Sequence, residues 1–227
     1  MLLDLLLEGD FRIELIIGSI FASLLVVFIT LPIHEWAHAF VANKLGDPTA
    51  KYMGRLTLNP LKHIDPIGAT MIVFIGFGWA KPVPVEMRRF QNPKRDMAIT
   101  ALAGPASNLI LATISLFFFN LLNSFNVISS SVVVQYIYAI GYYMFYMMAQ
   151  INISLAIFNL IPIPPLDGSR ILNAFLPDRI YYRLMQFERY FFIIIFLIVR
   201  TFSSFLSGLV DGVFMLLFTL TNLPFSF

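Results

Sequence analysis

Residues 34–38 read His-Glu-Trp-Ala-His, so two histidines four positions apart flank a glutamate. In a helix, residues i and i+4 share one face, and both imidazoles can therefore bind the same metal ion. The glutamate then lies near the remaining coordination position, where it can act as a general base. This pattern is typical of zinc hydrolases, with His34 and His38 as metal ligands and Glu35 as the base. The alternative is that the histidines only mark the end of a membrane helix, but ionisable groups in a span are costly and usually functional.

A catalytic zinc ion usually has three protein ligands, so one ligand is still missing. The chain has no cysteine, and the third ligand must come from histidine, aspartate or glutamate. Asp167 is distinctive because it follows Pro162, Pro164 and Pro165, which forbid a continuous helix. Non-helical backbone at membrane depth persists only where protein or a polar cavity surrounds it. On the residues alone, Asp167 is either the third ligand or the N-cap of a following helix.

The composition indicates the environment of these residues. The chain has 227 residues, of which 59% are hydrophobic and 12% charged, against roughly 25% charged in an ordinary soluble domain. The net charge of +2, with basic residues scattered over short loops, excludes a nucleic-acid partner. We therefore expect one all-α polytopic membrane domain over residues 1–227, with the lipid bilayer around it. Its acidic start is unlike a secretory signal, and the first hydrophobic run is expected to be retained.

Uncharged stretches predict about five transmembrane helices, since a crossing needs about 20 apolar residues. The predicted spans are 15–33, 96–122, a helix from 132 to the proline-rich segment, and a helical hairpin over 180–224 with Arg200 near its turn. The polar stretch 123–131 is interpreted as the turn between the second and third spans.

Basic loops predict the orientation, because Lys and Arg accumulate on the cytoplasmic side. The loops at 44–64 and 80–96 are both basic, whereas 123–131 has no basic residue. The run at 65–79 between the two basic loops must then enter the membrane and return. We expect a re-entrant segment there, with a possible short β-hairpin near 45–85, an active site near the cytoplasmic side, an external N-terminus and an internal C-terminus.

Five ordered motifs make the chain resemble the site-2 protease family of intramembrane zinc metalloproteases. They are HEWAH at 34–38, NPLKHIDPIG at 59–68, GWAKPVPV at 78–85, AGPASN at 103–108 and NLIPIPPLDG at 159–168. The resemblance is to the compact prokaryotic type, without a PDZ or CBS domain. It implies that Asp167 completes the zinc site, that Glu35 is the catalytic base and that Asn159 helps to position the substrate.

The same resemblance implies one Zn²⁺ per chain and regulated intramembrane proteolysis of a transmembrane protein substrate in a prokaryotic cytoplasmic membrane. The stretch through Val85 is a candidate surface for pairing with an unwound substrate by β-addition. The oligomeric state is left open.

Three alternative functions are weaker. A protease of the type that processes prenylated proteins would take a glutamate such as Glu188 as its third ligand, but no suitable motif surrounds this residue. A metal transporter would need polar residues in several spans, and the 97–166 run has few. A catalytically idle zinc-binding scaffold has no need of an intact base.

Several other residues have simpler interpretations. His63 could be a fourth ligand or a substrate contact, but a loop histidine that hydrogen-bonds near Asp65 is favoured. Small and polar residues in the 103–108 motif, namely Gly104, Pro105 and Asn108, are expected to permit close helix packing.

Overall fold

The structure is a computed structural model, and it describes residues 12–75, 78–125 and 131–225. The predictions for the acidic start of the chain and for the centre of the 123–131 turn fall on residues outside these ranges. The described helices are α1 (Ile13–Leu25), α2 (Leu31–Lys44), α3 (Thr49–Tyr52), α4 (Pro66–Ile75), α5 (Pro93–Ser124), α6 (Val132–Asn159), α7 (Asp167–Leu172), α8 (Asp178–Met185) and α9 (Phe191–Asn222).

Four helical segments are long and apolar enough to cross a membrane. They are Ile13–Lys44, which comprises α1 and α2, then Pro93–Ser124, Val132–Asn159 and Ile193–Asn222. This bears out the all-α polytopic membrane fold. The described part of the chain contains four such segments, however, where about five spans were predicted.

The difference lies in the predicted helical hairpin at 180–224. The structure has α8, a short 3₁₀ turn and then the single helix α9, which bends at Phe202 (φ −113°, ψ 20°) without reversing. No glycine or proline occurs between 191 and 207 to turn the chain back. The part after the bend, 203–222, measures about 30 Å, which matches the hydrocarbon core. Arg200 therefore lies near one end of a crossing helix, not at a hairpin turn.

A π-helical turn over Val26–Thr30 joins α1 to α2. Pro32 lies in the first turn of α2, where it lacks the N–H that a continuous α-helix would use. The wider turn, in which Leu31 N–H donates to the carbonyl of Val26, lets the helix continue through this proline. Residues 34–38 therefore lie on the last turns of a membrane-spanning helix.

The two residues that flank the segment at 65–79 lie next to each other. Its helix α4 is about 15 Å long, half of what a crossing needs. Ile64 and Ala80 form an antiparallel bridge, and Lys81 N–H donates to the carbonyl of His63 at 2.7 Å. The two ends of the segment meet, as a re-entrant segment requires. The bridge is isolated, and no β-hairpin occurs within the described part of 45–85.

Two glycines allow this close return. A Cβ on Gly68 would lie 2.1 Å from the carbonyl oxygen of Trp79, and one on Gly78 would lie 2.0 Å from that of Gly68. Any other residue at either position would push the two backbones apart.

The spanning helices pack around α5 and α6. These two helices pack against each other, α2 packs against α5, α1 packs against α6, and α9 contacts both. One interhelical hydrogen bond joins Asn120 Nδ2 of α5 to Thr221 Oγ1 of α9 at 2.9 Å. The central apolar cluster joins α1, α2, α4 and α6, and includes Ala22, Val26, Leu31, Ile72, Met148 and Leu155.

Candidate active site

Three side-chain atoms converge at the end of the first spanning segment. His34 Nε2 and His38 Nε2 are 3.1 Å apart, and Asp167 Oδ2 lies 3.3 Å from the first and 3.2 Å from the second. All three residues are buried. The structure thus brings together the three residues predicted as metal ligands.

Each ligand is positioned by its own local structure. The two histidines are one turn apart on α2. Asp167 is the first residue of α7, whose N-cap is Leu166, so the N-cap alternative for Asp167 is wrong. A Cβ on Gly168 would lie 2.3 Å from the carbonyl oxygen of Leu160. Glycine at 168 therefore lets α7 fold back onto the end of α6, and this return brings Asp167 to α2.

Helix α5 presents an oxygen atom to the Nδ1 atom of each imidazole. His38 Nδ1 lies 2.8 Å from the carbonyl oxygen of Thr100, and His34 Nδ1 lies 3.4 Å from Asn108 Oδ1. A nitrogen that faces an oxygen acceptor carries the proton, so the lone pair of each neutral ring is on Nε2. This is the arrangement of metal-binding histidines, whose other ring nitrogen donates to an outer partner.

The convergence of these atoms fits a divalent metal ion. Two nitrogen lone pairs and a carboxylate oxygen would repel one another at about 3 Å without a cation between them. Asp167 Oδ2 is buried and has no hydrogen bond of acceptable geometry, although both imidazoles are near it. Two imidazoles and one carboxylate are the donor set of a three-ligand catalytic zinc site.

Gly104 makes room for the two imidazoles. A Cβ at this position would lie 2.4 Å from His38 Nε2 and 2.6 Å from His34 Nε2. The prediction that Gly104 permits close helix packing is therefore confirmed, and the closest neighbours are the two ligands themselves. In the same motif, Asn108 was interpreted as a packing residue, but its side chain contacts His34. A buried amide inside a span needs a polar partner, and this was the signal that could have identified its role.

Glu35 lies beside the ligands and is held by a backbone donor. Val83 N–H donates to Glu35 Oε2 at 2.7 Å, and the bond is buried. The residues on either side, Pro82 and Pro84, have no N–H. Val83 therefore carries the only backbone donor of this three-residue stretch, and that donor is used by Glu35.

The ligands and Glu35 line a cavity of about 490 Å³. Asn159 also lines it, and its Nδ2 donates to the carbonyl of Leu155 at 3.0 Å. Arg170 and Glu188 line the same cavity, and Arg170 was not among the predicted site residues. Glu188 is not among the residues whose ligand atoms converge, which removes the basis for a glutamate as third ligand.

His63 is bound to a backbone carbonyl. It is fully buried, and its Nε2 lies 2.8 Å from the carbonyl oxygen of Thr57. Asp65 accepts hydrogen bonds from the N–H groups of Ile67 and Gly68, so the hydrogen bond expected for this loop histidine is made to Thr57 and not to Asp65. His63 is also absent from the ligand group formed by the described residues.

The profile of peptidase family M50 matches residues 22–200, which include all three ligands and Glu35. The chain belongs to peptidase family M50. This confirms the resemblance to the site-2 protease family. With its four candidate spans, this M50 chain is a membrane metalloprotease.

Named relatives cover most of the chain. The protein YwhC of Bacillus subtilis, provisionally named a zinc metalloprotease, is 40% identical over 78% of this chain and 79% of its own length. Rip2 of Mycolicibacterium smegmatis, with the same provisional name, is 30% identical over 76% of this chain and 64% of its own length. The zinc metalloprotease MJ0392 of Methanocaldococcus jannaschii is 26% identical over 73% of this chain but only 38% of its own length. No solved structure matches the chain significantly.

Proposed function

We propose that the chain is an intramembrane zinc endopeptidase that hydrolyses peptide bonds of membrane-spanning proteins, with one zinc ion per chain. The observation that carries this proposal is the convergence of His34 Nε2, His38 Nε2 and Asp167 Oδ2 beside Glu35, at the end of a spanning helix. The names of the M50 relatives above support zinc as the metal.

When bound by these three residues, zinc supplies Lewis-acid chemistry that polarises the scissile carbonyl and makes water more acidic. Glu35 accepts the proton of the attacking water and later gives it to the leaving amine. The Val83 N–H holds Oε2 of this carboxylate, so the second carboxylate oxygen is the one that receives the proton. The burial of the ligands keeps bulk water away from the reacting groups.

Asn159 positions the substrate in this proposal. It lines the cavity, and only one of its two amide hydrogens is needed for the bond to Leu155. The other can donate to a substrate carbonyl. Asn159→Ala should therefore lower the turnover rate while the metal content stays close to that of the parent chain; an equal loss of both would place Asn159 among the residues that support the metal.

The stretch around Val83 restricts how an unwound substrate can pair with it. Lys81 N–H is used by His63 and Lys81 O by Arg55, whose Nη2 lies 2.6 Å away. Pro82 and Pro84 offer carbonyl oxygens but no N–H. A substrate strand that adds at residues 82–84 must donate its own N–H groups, so the pairing is one-sided over these three residues. This refines the β-addition hypothesis.

The active site lies near the cytoplasmic side in this proposal. With α9 as one crossing helix, Arg200 moves to the same side as the basic loops, and every Lys and Arg except Arg12 is then cytoplasmic. Four crossings also place residues 12 and 225 on the same side. The predicted internal C-terminus thus changes to an external one.

A substrate trap tests the function. Glu35→Gln should retain zinc and bind substrate without cleaving it, so a membrane protein should be enriched with this variant and be cleaved when the parent chain is added. A zinc-loaded parent chain that cleaves none of the captured proteins would indicate an idle scaffold. Zinc flux into vesicles that contain the parent chain, without cleavage, would indicate a transporter.

A further inference from the structure

A mostly apolar groove of about 360 Å³, with four polar lining residues, lies between α6 and α9. Its polar lining comes from Gln150 and Ser154 of α6 and from Ser207 and Asp211 of α9. The remaining lining is apolar and comprises Ile157, Phe158, Ile161, Leu206 and Val210.

Asp211 is an unusual residue for this position. It lies at the middle of the 203–222 part of α9 and is exposed on the protein surface, which is the depth at which a charged group is most costly and usually functional. No side chain in the described ranges pairs with its carboxylate. The nearby Gln150 instead donates to the Tyr146 hydroxyl at 3.3 Å. Asp211 therefore needs a partner that is not part of this fold.

The surface beside Asp211 leaves room for a helix. Gly208 lies one turn before Asp211, and a Cβ there would meet nothing within 4 Å. The same is true of Gly212. Small residues on a membrane helix let another helix approach closely.

The groove adjoins the candidate active site along α6. Phe158 lines both the groove and the metal cavity. Gln150 lies about 13 Å along α6 from Asn159. A chain that occupies the groove thus leads towards the ligands.

We propose that this groove binds the transmembrane segment of the substrate, and that Asp211 pairs with a lysine or arginine side chain in that segment. This inference rests on the proposed function. The charge of the groove favours it, since its one charged lining residue is acidic. A second copy of the chain is a poorer occupant, because the 203–222 part of α9 has no Lys or Arg and a symmetric contact would bring two Asp211 carboxylates together.

The offset of about 13 Å along α6 between Gln150 in the groove and Asn159 at the metal cavity sets the position of the basic residue. If the substrate is extended between the two, the 13 Å correspond to about four residues. If it stays helical there, they correspond to about nine. The recognised side chain therefore lies deeper in the membrane than the scissile bond.

Binding of a defined peptide to the Glu35→Gln chain tests the proposal. The chain is placed in phosphatidylcholine vesicles with a labelled leucine- and alanine-rich transmembrane peptide that carries one central lysine, or leucine at the same position. We expect the lysine peptide to bind about tenfold more tightly. Adding Asp211→Asn should abolish this difference. Thr219→Val is the matched control, because Thr219 is exposed on α9 and bonds only within its own helix.

Equal binding of the two peptides, or a lysine preference that survives Asp211→Asn, would overturn the proposal. A loss of energy transfer between labelled copies of the chain on Asp211→Asn would also overturn the proposal, since such a loss would identify the groove as a self-association surface. An unchanged zinc content shows that the variant is folded. The readout is binding to an inactive chain, so absence of proteolysis by the parent chain would refute the proposed function without affecting this result.

Discussion

The backbone N–H of Val83 donates a 2.7 Å hydrogen bond to Oε2 of Glu35. This bond connects the segment that follows helix α4 to the candidate catalytic base on α2. Both residues line the metal cavity. The orientation of the base therefore depends on a segment far from it in sequence.

Removing this donor should impair catalysis without removing the metal. Val83→Pro eliminates the N–H, and the extended backbone before Pro84 is compatible with proline. Loss of a buried hydrogen bond to a charged group costs about 1.5–3 kcal/mol, so we expect a fall in turnover of about 10- to 100-fold at normal zinc content. Val83→Ala is the control, because it keeps the N–H while it trims the same buried side chain. Equal activity of the two variants would show that the bond has no catalytic role.

Each ligand variant, namely His34→Ala, His38→Ala and Asp167→Ala, should lose metal. The loss should exceed the roughly 100-fold that outer-shell changes cost in affinity, because two ligands cannot hold a catalytic zinc ion firmly. Metal analysis of the purified chain checks this, with Glu35→Gln as a control that keeps its zinc. Full zinc and full cleavage in Asp167→Ala would refute the ligand assignment.

Gly104→Ala should damage the metal site from a different helix. The added methyl group would lie 2.4 Å from His38 Nε2, so α5 or the imidazoles must move, and we expect zinc affinity to fall about 10- to 100-fold. Gly141→Ala is the control, since its Cβ would meet only Leu122 at an ordinary 3.6 Å. Equal zinc affinities of the two variants would contradict the close approach of α5 to the two imidazoles.

Cysteine labelling in this cysteine-free chain tests the four-crossing layout. Single cysteines at Lys51 and Gln91 should react only from the cytoplasm, because the segment between them returns to its starting side. Cysteines at Ser131 and Pro224 should react only from outside. Labelling of position 224 from the cytoplasm would restore the fifth crossing, and opposite sides for 51 and 91 would make 65–79 a true span.

Local sequence was sufficient for the part of the site that lies on one helix. Helical geometry alone predicts that His34 and His38 share one helix face, and both residues lie one turn apart on α2 in the structure. Asp167 could not be assigned by the residues, because ligand and N-cap require the same residue type at the same kind of position. The resemblance favoured the ligand, and the contact of Gly168 with the end of α6 gives the physical reason.

Contacts between distant segments were not accessible from sequence. Nothing local to Val83 indicates that its N–H meets Glu35, and Asn108 could equally have packed or hydrogen-bonded. The prediction at 180–224 failed because Arg200 was interpreted as a turn residue. A long basic side chain can also extend from the end of a crossing helix to the interface, and the structure has a bend at Phe202 instead.

The three ligands come from two distant parts of the chain, and this determines the order in which they are synthesised. His34 and His38 emerge early from the ribosome, while Asp167 follows only after α5 and α6 have been made. Chains are synthesised and begin to fold from the N-terminus, so a nascent chain holds the base and two ligands well before the third exists. On the proposed assignment, the metal site is therefore incomplete while the helices from α1 to α6 are being inserted, and it gains its third ligand only when the segment after α6 has been made.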